Sequence, residues 1–435
     1  MRTCELVSRL RLAVCIAVVV CPAFTFAQSG PQSFYNVDVF DGYQMLRGQT
    51  VEVENGVIRE VRPATQRPSK ADFIDGTGKT LLPGLIDAHC HIGYQEEGLE
   101  QAAALGVTTE LDMWGDPARL GTLRQEIKHG QHPNAADFRT AGIGASVPGG
   151  HPSEMEGPPY PKLGPQDDVQ AFVDARIAEG SDYLKIIYDH LLPGLTFDQL
   201  RDLVAAAHRR NLRVVVHETM QKDGLEAIRA GADNVEHLFA DTPIAAEFIS
   251  AAVQNHTAIT PTLAIISSAG GEARGAPVAD DARFSPYLLG WNVRGLHSKF
   301  PEEFTKRTHF EYACAATKAL RQAGAILLAG TDAPGPGTGY GLSMHVELQL
   351  LTECGLTAEE ALSAATAVTA REFGLIDRGR IEVGRRADLL LVKGDPTKEI
   401  RATRDIVGVW IGGRKIDRDA VARMAEASRK QLPSN

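Results

Sequence analysis

The sequence predicts an α/β fold: a (β/α)8 TIM-like barrel with a small β-sandwich domain built from both chain ends. Two patterns and the length carry this expectation. The long middle alternates β-branched runs with amphipathic stretches, as parallel strands with crossover helices do. Both ends instead show short alternating strands separated by turn residues. The 435 residues suffice for one large barrel plus a small second domain.

Taken in order, residues 1–27 read as a leader. Arg2, Arg9 and Arg11 precede an apolar run from Leu12 to Val20, followed by Pro22 and then Thr25-Phe-Ala27. That is a charged n-region, a short h-region and a small-x-small cleavage site, so cleavage is expected after Ala27, with export to a bacterial periplasm or medium. The run is too short for a stable transmembrane helix. Val20 is bulky where a lipoprotein reading through Cys21 would want a small residue. Removing the leader takes Cys4, Cys15 and Cys21 with it. Cys90, Cys314 and Cys354 remain, an odd and widely spaced set that predicts no disulfide framework.

Residues 28–83 are expected to form the first part of the sandwich. Tyr35-Asn-Val-Asp-Val-Phe40 and Gln49-Thr-Val-Glu-Val-Glu54 alternate, and Asn55-Gly56 before Val57-Ile-Arg-Glu-Val61 is a hairpin signal. The barrel is expected over 84–383. Its strand candidates are Leu81–Ile86 leading into His89, Gly106–Asp112, Tyr183–Ile187, Arg213–His217, Asn234–His237, Ala258–Thr262 and Ile326–Asp332, with helices such as Pro165–Glu179 and Phe197–Arg210 between them. Residues 265–305, punctuated by Gly and Pro, read as a lid or active-site insertion. Residues 384–435 supply the second sandwich part, through Ala387–Pro396 and Ile406–Arg414, and a tail.

A net charge of −10 argues against nucleic acid or an anionic membrane surface as partner. The partner expected is a small molecule, with no stable membrane association after leader removal; a homo-oligomer is left open.

The chemistry starts at His89-Cys-His91. A strand alternates faces with period two, so the two imidazoles point the same way and can hold one metal ion, while Cys90 faces away as packing. The spacing alone is equally compatible with two unrelated surface histidines. Other strand ends add candidates: His217 closes Val214-Val-Val, His237 closes Asn234-Val-Glu, Asp332 follows Gly330-Thr331, and Lys185 lies among apolar neighbours. Strand ends of a barrel converge on one site, and together these residues select the metal reading.

With these residues in place the chain resembles the amidohydrolase superfamily, in its Xaa-Pro-dipeptidase-like and imidazolonepropionase-like branch. The landmarks are Leu82-Pro-Gly-Leu-Ile-Asp-Ala-His-Cys-His91, Gly106-Val-Thr-Thr109, Gly149-Gly-His151, Tyr183-Leu-Lys-Ile186, Val214-Val-Val-His217, Gly231-Ala-Asp-Asn-Val-Glu-His237, Leu328-Ala-Gly-Thr-Asp332 and Gly384-Arg-Arg-Ala-Asp-Leu-Leu-Leu-Val392. The resemblance implies two divalent metal ions. His89, His91 and Asp332 would hold the more buried ion, and His217 and His237 the more exposed one. Lys185, carbamylated by CO2, would bridge both, which a free ammonium cannot do because it has no acceptor. Mixed N and O ligands favour Zn2+, with manganese and cobalt as alternatives.

The implied reaction is hydrolysis of a C–N amide bond, on a peptide-like or N-acyl amino acid substrate, by a metal-bridged hydroxide with Asp332 as proton shuttle. His151, in Gly149-Gly-His-Pro, is a further catalytic candidate that could donate to the carbonyl oxygen. Tyr188 and His345 are substrate candidates, and His345 reads equally as an outer-shell residue. After His217 the chain carries Glu218-Thr219 where dipeptidase relatives often carry Ala and then an aromatic residue, which puts a dipeptide in doubt. Tyr287, Trp291 and His297 of the insertion could shape a pocket for a larger or aromatic amide. The alternatives are a cyclic amide or lactone hydrolase with the same binuclear site and, from another class, a catalytically silent periplasmic binding protein.

Overall fold

The structure, a computed structural model, describes residues 31–65, 73–93, 95–155 and 159–431. The leader assigned to residues 1–27 lies outside them. Among the described residues no helix is long and apolar enough to cross a membrane.

The strands are, in chain order, β1 (Gln32–Phe40), β2 (Met45–Glu54), β3 (Val57–Pro63), β4 (Ile74–Asp75), β5 (Lys79–Pro83), β6 (Leu85–Cys90), β7 (Val107–Asp112), β8 (Asp137–Thr140), β9 (Leu184–Ile187), β10 (Val214–His217), β11 (Asn234–Glu236), β12 (Ala258–Thr260), β13 (Leu389–Lys393), β14 (Ile406–Ile411) and β15 (Arg414–Lys415). The two chain ends meet in one eight-stranded sheet of order β15-β14-β13-β5-β1-β2-β3, with β4 beside β1. The hinge of this arrangement is β5, whose Leu81 pairs antiparallel with Leu391 of β13. Where a sandwich was expected, these strands hydrogen-bond along a single path. Phe34, Val39, Val51, Ile58, Leu81, Leu389, Leu391 and Trp410 form its buried core, and each large apolar side chain so buried contributes about 1.5–3 kcal/mol. The β2–β3 turn follows from sequence: Asn55 and Gly56 both take positive φ (53° and 77°), the pair of left-handed conformations a tight hairpin demands.

The middle gives parallel sheets: β6-β7-β8 in one and β9-β10-β11-β12 in another. Isolated bridges carry backbone pairing between and beyond them, from Ala145 to Ile186, from Ile259 to Leu327 and from Cys90 to Ala333. Ile86, Ala88, Leu111, Met113, Val215, Ala258 and Leu328 pack together in one buried cluster. Crossover helices cover the sheets. Helix Phe197–Arg209 starts at a capping box of Thr196 and Gln199 and buries Leu200, Leu203, Val204 and Ala207. Helix Val169–Ala178 begins later than its sequence pattern suggests because the Asp168 carboxylate caps it, accepting from the Ala171 N–H at 3.1 Å.

Two features differ from expectation. Cys314, on helix Phe310–Gln322, and Cys354, at the end of helix Leu342–Glu353, form a disulfide. Their 40-residue separation hid a pairing that only the packing of two helices creates. The 265–305 segment is largely helical, with helices Leu263–Ala269, Gly275–Ala279, Gly290–His297 and Glu302–Arg307. Tyr287 lies under the Arg418 guanidinium at 4.2 Å and Trp291 meets Tyr340 edge-on, while His297 is exposed beside Asp280. The chain closes with helix Arg418–Gln431, which packs against helices Gly98–Ala104 and Gly290–His297.

One ion network clamps the region after the last barrel helix to β8. Asp137 accepts from Arg378 at 2.6 Å and Arg386 at 2.9 Å. Burial alone would raise its pKa, but the two guanidiniums hold the carboxyl far below the usual carboxylate range.

Candidate metal centre

Strand β6 delivers the first two ligands. The Nε2 atoms of His89 and His91 lie 3.3 Å apart, so both imidazoles reach one point, as the i, i+2 spacing requires. Asp332 arrives from the Gly330–Asp332 turn, where its own N–H and that of Thr331 donate to the His89 carbonyl. Its Oδ1 sits 3.0 Å from His91 Nε2 and 3.4 Å from His89 Nε2. The ligand atoms of these three residues all lie within 4.8 Å of one another. Burial pushes the Asp332 carboxyl up, yet hydrogen bonds with His89 and His91 leave it well below its ordinary value, hence ionised at neutral pH.

The remaining candidates surround this group. His237 has its ring 4.6 Å from that of His89 and 4.8 Å from that of His217. Burial pushes His217 down to about 4 and His237 well below the usual histidine range. Both are therefore neutral, the form that can ligate a metal. Lys185, on β9, is buried, and its Nζ has no hydrogen-bond partner among the described residues. Burial lowers its pKa to about 8. An unpartnered amine beside three imidazoles and a carboxylate is costly as it stands. The His89, His91 and Asp332 donors beside it fit a divalent metal ion.

Two of the imidazoles have one nitrogen occupied by a hydrogen-bond partner, and a third has a carboxylate nearby. His89 Nδ1 lies 2.6 Å from Glu236 Oε2, His237 Nδ1 lies 2.8 Å from Thr262 Oγ1, and His217 Nε2 faces Asp189 Oδ2 at 3.8 Å. Such partners fix tautomer and ring orientation. Glu236, Thr262 and Asp189 escaped the sequence reading. Glu236 did so because it adjoins His237, and a regular strand would turn neighbours to opposite faces. His237 instead has φ of +75°, and this left-handed twist lets two consecutive residues both face His89. The only sequence signal for Glu236 was a carboxylate directly preceding His237 on β11.

The other candidates fare differently. The His151 ring stacks on that of His217, with centroids 4.9 Å apart and 13° between planes, and its Nδ1 is 2.5 Å from Glu154. It is thus at the cluster. Tyr188 is buried, and its hydroxyl donates to Glu226. His345 is buried with both ring nitrogens engaged, by Leu105 O at 2.8 Å and Thr403 Oγ1 at 3.0 Å, none of them part of the cluster. Cys90 is buried against Glu110, and burial pushes its thiol well up, which keeps it protonated.

Comparison with known proteins follows the same lines. The sequence profile of the amidohydrolase family matches residues 134–416. An imidazolonepropionase of Deinococcus radiodurans is 25% identical over 84% of this chain and 91% of its own length. An uncharacterized protein of Mycobacterium tuberculosis is 28% identical over 77% of this chain and 84% of its own. Among solved structures, a Xaa-Pro dipeptidase with methionine bound in its active site superposes with a TM-score of 0.74, at 22% identity, over 89% of this chain and 99% of that one.

Proposed function

The chain belongs to the amidohydrolase family, and from that premise we propose that it hydrolyses an amide bond of a peptide-like or N-acyl amino acid substrate at a two-metal site. It is a metal-dependent hydrolase of carbon–nitrogen bonds; substrate and mechanism are the proposal. The observation that carries it is the buried, unpartnered Lys185 amine beside the His89–His91–Asp332 group.

His89, His91 and Asp332 would hold one divalent ion, His217 and His237 a second, and Lys185, as its carbamate, would bridge them, with Zn2+ the metal best suited to these ligands. Ions so held would supply Lewis acidity, making a water nucleophilic at neutral pH and polarising the scissile carbonyl. Asp332, ionised by its histidine contacts, accepts the proton of the attacking water at a carboxylate oxygen and returns it to the departing amine. His151, stacked on His217, presents a ring nitrogen for orienting the carbonyl oxygen. Glu236 and Thr262 keep the His89 and His237 rings in register.

The bridges from Ala145 to Ile186, Ile259 to Leu327 and Cys90 to Ala333 support reading the parallel strands as a closed (β/α)8 barrel. Export through the leader of residues 1–27 is likewise a proposal, and the Cys314–Cys354 disulfide, suited to an oxidising compartment, supports it. A second reading, hydrolysis of a cyclic amide, draws on the imidazolonepropionase among the relatives.

The test is a panel of dipeptides, N-acyl amino acids, cyclic amides and lactones offered to the zinc-loaded enzyme, with Asp332→Asn as blank. Turnover of linear amides that a chelator abolishes and zinc restores is expected. Turnover that survives both chelation and Asp332→Asn would refute the metal mechanism.

A further inference from the structure

Trp114 and Tyr160 form a wall beside Lys185 that the reaction as described does not use. Trp114 lies two residues beyond β7, at the strand end that also carries the metal cluster, since β6 and β7 run parallel. A Cβ placed on Gly144 would lie 2.8 Å from the indole and 3.2 Å from Lys185 Cγ. Glycine at this position therefore leaves room for both the indole and the stem of Lys185. Trp114 is half-buried. Tyr160 meets it edge-to-face at 5.0 Å between centroids. The phenol is held at both ends, by a 3.1 Å hydrogen bond with Ser153 and by Lys162 Nζ, 4.9 Å above its ring. Two aromatic rings held in a T-shape, the indole within reach of the Lys185 stem across Gly144, offer a face and an edge to a third ring.

We propose that Trp114 and Tyr160 are specificity-determining residues that select amides carrying a flat aromatic group next to the scissile bond, with an N-aroyl amino acid as the fitting class. The inference rests on the amide-hydrolase reading above. An aromatic acyl group stacks against the two rings. An aliphatic acyl group of the same connectivity forfeits the ring contacts, a loss of about tenfold.

Two measurements on the full-length protein test this separately from turnover. Calorimetry on the zinc-loaded Asp332→Asn protein compares N-benzoylglycine with N-acetylglycine. The benzoyl compound is expected to bind about tenfold tighter, and the difference should collapse in Trp114→Leu and in Tyr160→Leu. Tyr160→Leu guards against a folding defect at the more buried Trp114. In the zinc-loaded enzyme without the Asp332 change, kcat/KM for the same pair should show the same preference and lose it in the same variants. Equal binding of the two compounds, or a preference that survives both substitutions, overturns the inference. A binding preference without hydrolysis of any amide would instead overturn the hydrolase reading and leave the aromatic subsite standing.

Discussion

Replacing Glu236 by Gln should weaken metal binding by about 10- to 100-fold without unfolding the protein. The site around Glu236 presents hydrogen-bond donors on both sides. His89 Nδ1 lies 2.6 Å from one carboxylate oxygen, and the Asn234 amide and Thr260 hydroxyl donate to the other. A carboxylate satisfies both sides; a carboxamide has one acceptor and one donor end, so it must face a donor with a donor. Burial and the Lys185 ammonium push the His89 imidazole down, whereas Glu236 and Asp332 bring it above its ordinary value. Removing the carboxylate therefore removes a charge-assisted bond worth about 1.5–3 kcal/mol in stability terms. If that energy is what holds the His89 ring with Nε2 toward Asp332, its loss appears as one to two decades in dissociation constant. The assay is competition for zinc against a chelator of known affinity, with thermal unfolding of the apo form as control. Zinc affinity in Glu236→Gln within about twofold of the parent, at unchanged apo stability, would refute the role assigned to this pair.

Other predictions follow from neighbouring features. Lys185→Ala should lower the metal content from two ions to one per chain by elemental analysis and remove most turnover; two tightly bound ions in that variant would sink the bridging role. Asp137 has a folded pKa depressed below its unfolded value, so its contribution is present above about pH 4 and lost as pH falls below that. Asp137→Asn should cost about 3 kcal/mol at pH 7 in urea unfolding and flatten the acid limb of the stability profile. Cys314→Ser should cost up to about 4 kcal/mol, the loop-closure value for the 40-residue separation, and reductant should reproduce the loss in the parent protein.

The parts of the site legible in sequence are those that follow strand periodicity. His89 and His91 share a face because they are two apart on one strand, and His217 stands at the end of a run of valines that could only be buried. The outer partners were not legible, because they depend on departures from that period. Positive φ at His237, Thr262 and Asp332 turns side chains toward the cluster that regular strand geometry would send elsewhere. His345 shows the converse error. Its position near Asp332 in sequence suggested the site, but the helix it opens aims the ring at Leu105 and Thr403. The disulfide failed to appear for a different reason: helix packing, not local pattern, makes the neighbour.

The pairing of β5 with β13 has a consequence for how the chain is made. β5 is an internal strand whose second edge is filled only by residues on the far side of the whole barrel. During synthesis, Leu81 and Leu82 wait with an open backbone edge until Leu390 and Leu391 arrive. The small sheet thus acts as a completeness check. A chain cut anywhere within the barrel leaves an adhesive strand edge exposed, and only a chain that has delivered its last strands can hide it.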